Sequence, residues 1–207
     1  MKKYILNNLL SYFFGFFLIF SPLAFAESVL DVTEKDFIMG VENAPITIIE
    51  YASLSCSHCA DFHINTLPEL IKEFVDTGKA RIVFRDFPFN YPALLGSMVL
   101  RCVPRDIRYE YSNALYHLQS KWVLRENAKT TQELYKIMQS GGMTKERFNE
   151  CIDNVELENE ILNGLMAAQS EFNIKSTPSF LINGILIEGN KTIKDFRQII
   201  DKILSEQ

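Results

Sequence analysis

Two cysteines separated by two residues form the segment of this 207-residue sequence best suited to chemistry. In Cys56-Ser57-His58-Cys59, one thiolate can attack a disulfide, and the second thiol is close enough to close a ring. We expect the segment to begin a helix, where unpaired backbone N–H groups and the helix dipole favour negative charge and lower the pKa of Cys56. A protonated His58 would stabilise that thiolate further, and the less exposed Cys59 would be the resolving residue. The segment therefore predicts thiol-disulfide exchange that needs no cofactor.

Three other uses of a Cys-x-x-Cys segment are weaker alternatives. A structural zinc site could use Cys56, Cys59 and His63, but no second Cys-x-x-Cys or paired histidine completes a tetrahedral set. Haem attachment requires a histidine directly after the second cysteine, where this sequence has Ala60. An inert structural disulfide is the third alternative, and the expected position at a helix start and the neighbouring His58 both favour reactivity instead.

The spacing of apolar residues predicts the elements that position this segment. Residues 46–52 have the pattern of a buried strand, and residues 58–77 have helical spacing with a kink or brief break expected at Pro68. Residues 80–85 are a second strand candidate, and residues 27–45 are interpreted as a short leader. The cysteines therefore lie at the strand-to-helix junction of a βαβ unit.

The rest of the chain predicts a helical block followed by a hairpin. Residues 90–173 show helical patterns without a convincing strand, and Thr130 and Thr144 are candidate helix caps. Residues 179–187 then form a hairpin signal around Asn183-Gly184, before a last helix from Thr192. This order predicts an α/β fold, a mixed sheet with flanking helices that is interrupted by an inserted α-helical domain.

The first 26 residues have the features of a cleavable export signal. Two lysines precede an apolar block at 13–20, and Ala24-Phe25-Ala26 is the small-x-small pattern of a cleavage site. A retained membrane anchor is the alternative, because the stretch 4–26 is long enough to span a bilayer. The net charge of −5 argues against nucleic acid as a partner. All four cysteines follow the predicted cleavage site, which suits an oxidising compartment such as the bacterial periplasm.

Several separated segments, in the right order, resemble the DsbA-like bacterial disulfide oxidoreductases. Besides the cysteine segment they are Ile49-Glu50-Tyr51, Phe62-His63, Thr66-Leu67-Pro68, Asp76-Thr77-Gly78-Lys79, Phe84-Arg85-Asp86-Phe87-Pro88 and Thr177-Pro178-Ser179-Phe180-Leu181-Ile182-Asn183-Gly184. The resemblance runs from about residue 31 to 204. It implies a thioredoxin fold built from residues 27–89 and 174–207, with an inserted helical domain at 90–173.

The resemblance also implies roles for residues outside the cysteine segment. Pro178 would be a cis-proline facing the disulfide, and Thr177 would present backbone groups to an extended substrate peptide. Glu50 would be a buried acid that helps to move the proton of Cys59, although most carboxylates in a strand face outward. Two departures leave the direction of electron flow open, because Ser57 replaces a common proline and a threonine such as Thr177 also precedes the cis-proline of isomerases.

Cys102 and Cys151 are the remaining cysteines, one in each of two predicted helices. Related proteins carry cysteines at similar places, and we expect a structural disulfide, with two free thiols or a second redox pair as alternatives. His63 and His117 are expected to be ordinary helix residues.

The leading functional hypothesis is a monomeric oxidase that introduces disulfides into exported proteins and is reoxidised by a membrane or soluble redox partner. One alternative is an isomerase or reductase with the same site. The other is a redox-inactive module that binds extended peptides.

Overall fold

The computed structural model describes residues 30–205, so the predicted signal segment 1–26 lies outside the described residues. Within that range the strands form one five-stranded sheet in the order β1-β3-β2-β4-β5. The strands are β1 (Phe37–Met39), β2 (Ile46–Ala52), β3 (Ala80–Asp86), β4 (Ser179–Ile182) and β5 (Ile185–Glu188). Strands β2 and β3 are parallel and all other neighbours are antiparallel. The predicted mixed sheet is confirmed, whereas β1 was missed because three residues are too short for a recognisable period.

Strand β2 lies in the middle of the sheet and is buried on both faces. Ile46 and Ile48 contact one apolar cluster, and Ile49 and Tyr51 contact another on the opposite face. Because successive side chains alternate between faces, Glu50 shares the face of Ile46 and Ile48. This alternation directs the Glu50 carboxylate into the core of the protein.

The helix that follows the cysteines continues through Pro68 without a break. It consists of α1 (Ser57–Asp61), a π-helical turn at Phe62–Thr66, α2 (Leu67–Leu70) and a second π turn at Ile71–Val75. Pro68 lies in the first turn of α2, where a missing N–H is tolerated. Just before it, the Leu67 N–H bonds to the Phe62 carbonyl five residues back. The expected break is therefore replaced by a change of helical pitch.

Helices occupy the chain between β3 and β4, where the inserted helical domain was predicted; its boundaries stay a prediction. They are α3 (Tyr91–Arg101), a 3₁₀ turn at Arg105–Ile107, α4 (Arg108–His117), α5 (Gln119–Trp122), α6 (Asn127–Ser140), α7 (Lys145–Ile152) and α8 (Val155–Phe172). The apolar cluster of this block includes Leu54 and Cys59 together with Leu115 and Trp122. The block therefore packs directly on the cysteine segment.

One of the two predicted caps in this block is confirmed and the other is wrong. The Thr144 hydroxyl accepts a hydrogen bond from the Arg147 N–H at 3.2 Å and caps α7. Thr130 lies inside α6, one turn after its start, and its buried hydroxyl bonds instead to the backbone N–H and carbonyl of Leu124. Burial of Thr130 against the preceding loop overrides its capping preference.

The end of the chain follows the sequence prediction. The hairpin of β4 and β5 turns at Asn183 and Gly184, both with positive φ, as a tight hairpin requires. Helix α9 (Ile193–Ser205) begins with a reciprocal cap between Thr192 and Asp195. No helix among residues 30–205 combines the length and apolar character needed to cross a membrane.

A disulfide joins Cys102 at the end of α3 to Cys151 in α7, with 6.2 Å between the Cα atoms. It closes a sequence separation of 49 residues. The bond therefore links α3 to α7, two helices that are separated in the chain by α4, α5 and α6.

Reducing the Cys102–Cys151 bond in a Cys56→Ala/Cys59→Ala background should lower the free energy of unfolding by about 4 kcal/mol, because the unfolded chain regains loop entropy. Urea denaturation of the oxidised and reduced forms measures this difference in the free energy of unfolding. Because both forms have the same sequence, no substituted side chain contributes to the difference. A loss below about 1 kcal/mol would contradict the loop-entropy argument.

Candidate active site

The cysteine segment lies where β2 leaves the sheet and α1 begins, as predicted. Cys56 is the N-cap residue with extended backbone angles, and its N–H donates to the Ser53 carbonyl at 3.0 Å. Cys56 is partly exposed, whereas Cys59, one turn later, is completely buried. The two thiols of the pair therefore have different environments.

The pKa of the Cys56 thiol is lowered to about 5. The largest cause is the hydrogen bond that the Cys59 thiol offers to a Cys56 thiolate, which outweighs the opposing effect of burial. Backbone N–H groups of Cys59 and His58 at the helix start lower it further. Cys56 is therefore a thiolate at neutral pH.

His58 contributes to this site through its backbone. Its side chain is exposed at the start of α1, while its N–H is among the donors that stabilise the Cys56 thiolate. The predicted contribution of a protonated imidazole stays a prediction.

The Thr177–Pro178 peptide bond is cis, the isomer implied by the family resemblance, and it lies directly before β4. The Cys56 thiol donates to the Thr177 carbonyl at 3.3 Å. The buried Thr177 hydroxyl has no hydrogen-bond partner within the described chain, and this side chain lowers the pKa of Cys56. Thr177 thus offers its carbonyl to the thiol and a hydroxyl donor to the thiolate.

Cys59 is held as a thiol. Burial is the main cause that raises its pKa, followed by its hydrogen bond to Cys56 and by the negative charge of Glu50. The Ser53 N–H lies 3.5 Å from the Cys59 sulfur and opposes these effects weakly. One proton therefore stays on the pair when Cys56 is ionised.

Glu50 is completely buried and faces the helix that carries the cysteines. Its two carboxylate oxygens lie 3.0 and 3.1 Å from Nε2 of His63. The outward-facing alternative for Glu50 is wrong, because its face of β2 is the one covered by Phe62 and its neighbours. The structure thus places a carboxylate and an imidazole together in the core.

His63 is the residue of this site that the sequence analysis missed. It is buried, its ring stacks on Tyr116 with centroids 4.1 Å apart, and it lies four residues after Cys59. Residues four apart share a helix face, so this spacing could have placed His63 on the side of Cys59 that faces the sheet. His117, by contrast, is exposed on α4, as expected.

The geometry does not fit the zinc alternative, because Nε2 of His63 is in contact with the Glu50 carboxylate. Within residues 30–205 no group of three or more His, Cys, Asp or Glu side chains is arranged to hold a metal ion.

The helical block fixes the loop that carries Cys56. The side-chain amide of Gln119 donates to the carbonyls of Leu54 and Cys56 at 2.9 and 3.0 Å. On the other side, the Ser55 hydroxyl donates to Asn90 Oδ1 at 3.0 Å. These contacts join the sheet, the cysteine loop and the insertion into one site.

Comparison with known proteins gives matches over most of the chain. A family model described as thioredoxin matches residues 32–202. A protein-disulfide oxidoreductase of Rickettsia bellii is 31% identical over 180 residues, which cover 84% of this chain and 67% of that protein. A relative of the same name from Rickettsia felis is 29% identical over 178 residues, or 85% of this chain, and the chain spans only 63% of its length. Among solved structures, alpha-DsbA1 of Wolbachia pipientis has a TM-score of 0.80 and 29% identity, with coverage of 86% of this chain and 95% of that one.

The rate at which iodoacetamide alkylates the reduced protein should follow a titration with a midpoint near pH 5, since Cys56 is a thiolate above that pH. The Cys59→Ala variant should titrate at a higher pH, because the strongest donor to the thiolate is removed. Equal midpoints in the two proteins would show that Cys59 does not stabilise the Cys56 thiolate.

Proposed function

Because the chain belongs to the DsbA-like group of the thioredoxin family, we propose that it is a thiol-disulfide oxidoreductase that introduces disulfide bonds into exported proteins. The observation that carries this proposal is the contrast within one Cys-x-x-Cys pair. Cys56 is a partly exposed thiol with a pKa of about 5, and Cys59 is a buried thiol with a raised pKa. The Cys56 sulfur can therefore attack or be attacked from outside, while the Cys59 sulfur is buried and reacts only with Cys56.

The proposed reaction begins with an oxidised Cys56–Cys59 bond. A substrate thiolate attacks the Cys56 sulfur, which is the accessible one, and Cys59 leaves and takes up a proton. A second substrate thiolate then attacks the substrate sulfur of this mixed disulfide, and Cys56 leaves as a thiolate. The substrate gives up two electrons and gains a disulfide, while the enzyme pair receives both electrons.

The stability of the Cys56 thiolate favours one direction of electron flow. Its hydrogen bonds exist only in the reduced protein, so they stabilise the reduced form relative to the disulfide. A protein whose reduced form is stabilised in this way is an oxidant, as the general link between thiolate stability and potential requires. The oxidase hypothesis is therefore preferred to a reductase.

Residues around the pair have proposed supporting roles. Glu50 would give the departing Cys59 sulfur its proton, because a buried carboxylate close enough to affect the pKa of Cys59 can exchange a proton with it. Thr177, next to Pro178, would pair its backbone with an extended substrate peptide, since its carbonyl already faces Cys56. His58 would add positive charge at the helix start when it is protonated.

Isomerase or reductase activity is the second candidate, and the contact of the Thr177 carbonyl with Cys56 is the observation that favours it, whereas the Thr177 side chain lowers the pKa of Cys56. The Thr177 carbonyl accepts from the Cys56 thiol but has nothing to offer a thiolate, so it stabilises the protonated form. This contact opposes the thiolate donors. A redox-inactive peptide-binding role is disfavoured by the low pKa of Cys56.

Export to the periplasm is part of the proposal. The sequence pattern of residues 1–26 supports it, and so does the Cys102–Cys151 bond, which persists in oxidising compartments. The partners would be reduced exported proteins, together with a membrane or soluble protein that reoxidises Cys56 and Cys59. The chain is proposed to act as a monomer.

Replacing Cys56 with alanine should abolish oxidation of a reduced test protein, because the attacked sulfur is removed. Replacing Cys59 with alanine should instead trap a mixed disulfide when the Cys56 thiolate attacks a test peptide that carries a disulfide to glutathione, because glutathione leaves as a thiolate and no resolving thiol follows; mass spectrometry detects the product. The Cys102→Ala/Cys151→Ala variant is the control and should keep its oxidase activity. Undiminished oxidation by the Cys56→Ala protein would refute the proposed function.

The reduction potential should depend on pH with a slope set by the protons that accompany two electrons. Above pH 5 only Cys59 binds a proton, so the potential should fall by about 30 mV per pH unit, and below pH 5 by about 60 mV. Equilibration against glutathione buffers measures both the slope and the value. A strongly oxidising value favours the oxidase, and a slope of about 60 mV at neutral pH would show that Cys56 is not ionised.

A further inference from the structure

The imidazole of His63 has a second nitrogen whose role the exchange reaction leaves unexplained. Nε2 faces Glu50, whereas Nδ1 is buried and has no hydrogen-bond partner among the described residues. An unpaired polar atom in a core destabilises the fold, because it has lost its hydrogen bonds to water without replacement.

A cavity of about 250 Å³ adjoins this ring. His63 and Tyr116 are among its lining residues, and Glu50 is not. The lining also includes Lys35, whose side chain is 75% exposed, and the partly exposed Glu160. The cavity therefore leads from the core to the surface.

The walls of this cavity combine apolar side chains with charged ones, and the charges of its arginines Arg85 and Arg101 are paired. Arg85 bonds to Asp36, and Arg101 bonds to both Asp86 and Glu160. Because these charges are already paired, the space suits water molecules better than it suits a charged ligand.

The titratable and charged groups around His63 and the cavity beside it come from several elements. They are Glu50 on β2, Arg85 and Asp86 on β3, Arg101 on α3, Arg108 and Tyr116 on α4, and Cys59 on its own helix. Because each arginine of this set except Arg108 is paired with an acid, and Arg108 bonds to backbone carbonyls, Glu50 is the acid left for His63.

We infer that His63 is a proton-transfer residue that links Glu50, and through it Cys59, to water in this cavity. The proton of Cys59 would then leave the core on the side of the helical block, and not past the exposed side of Cys56. Because Nδ1 is shielded in this conformation, the inference requires a movement of the ring that exposes Nδ1 to the cavity. The inference deepens the proposed function and rests on it for the step that requires Cys59 to lose or gain a proton.

The step is clearest during oxidation of the reduced pair by glutathione disulfide. The Cys56 thiolate first attacks that disulfide, forms a mixed disulfide and releases one glutathione thiolate. Cys59 then transfers its proton to the Glu50–His63 pair, and its sulfur attacks the Cys56 sulfur and expels the second glutathione thiolate. Two electrons pass from the cysteine pair to glutathione, and His63 delivers the proton to the cavity.

Rapid-quench mass spectrometry of this reaction tests the inference, because the mixed disulfide separates the two steps and no client protein is needed. His63→Gln should slow the second step about a hundredfold, the lower end of the range for loss of a proton-transfer group, and leave the first step unchanged. Gln keeps an amide donor for Glu50 but cannot carry a proton. His117→Gln, the same change at an exposed helix position, should alter neither step.

Three outcomes would overturn the inference. The second step could be unchanged in His63→Gln, or both steps could slow together with a shift in the Cys56 titration, as a packing defect would cause. A double variant Glu50→Gln/His63→Gln could also be slower than Glu50→Gln alone, which would mean that His63 does not act through Glu50. Loss of activity on protein substrates alone would count against the proposed function and not against this step.

Gly164→Leu is a second variant that does not depend on the packing of His63. Gly164 lines the cavity from α8, and a Cβ there meets no atom within 4 Å, so the fold should tolerate the change. A larger side chain should narrow the cavity and slow the second step, with Gly164→Ala having a smaller effect. An unchanged second step in Gly164→Leu would overturn the cavity as the route of the proton.

Discussion

The burial of Cys59 beside a partly exposed Cys56 is the constraint on which the site depends. A thiolate in the core would lose its hydration, so burial keeps the proton on Cys59 and leaves Cys56 as the ionised member. The same proton becomes the hydrogen bond that most strongly lowers the pKa of Cys56. The opposite behaviour of the two thiols is therefore one effect, produced by placing one of them at the helix start and the other one turn deeper.

Long-range packing produces that difference in depth. Cys59 is covered by Leu115 and Trp122 of the helical block, and the loop before it is held by the amide of Gln119. From the opposite side, the register of β2 with β4 brings the Thr177 carbonyl to Cys56. A Cys-x-x-Cys turn alone would allow ring closure, but it would provide neither the helical block that covers Cys59 nor the Thr177 carbonyl beside Cys56. The insertion is thus part of the active site as much as the sheet is.

The parts of this architecture that rest on local rules could be predicted from the sequence. The bounds of β2, the Asn183-Gly184 hairpin and the Thr192–Asp195 cap each follow from residues close in the chain. The errors concern residues whose environment is set by distant elements. Thr130 has the chemistry of a cap, but a loop packs on it, and His63 has the spacing of an ordinary helix residue, but a strand places Glu50 against it. Local propensity contains no information on either contact.

The two thiols take their protonation states from different parts of the structure. Ser57 is exposed and is not among the contacts that ionise Cys56, which come from Cys59, backbone N–H groups and the side chain of Thr177. The proton of Cys59 is governed by burial, by its hydrogen bond to Cys56 and by Glu50 on the central strand of the sheet. The exposed side chains between the cysteines therefore lie outside the contacts that set the ionisation of the pair, and the buried side keeps one proton on it.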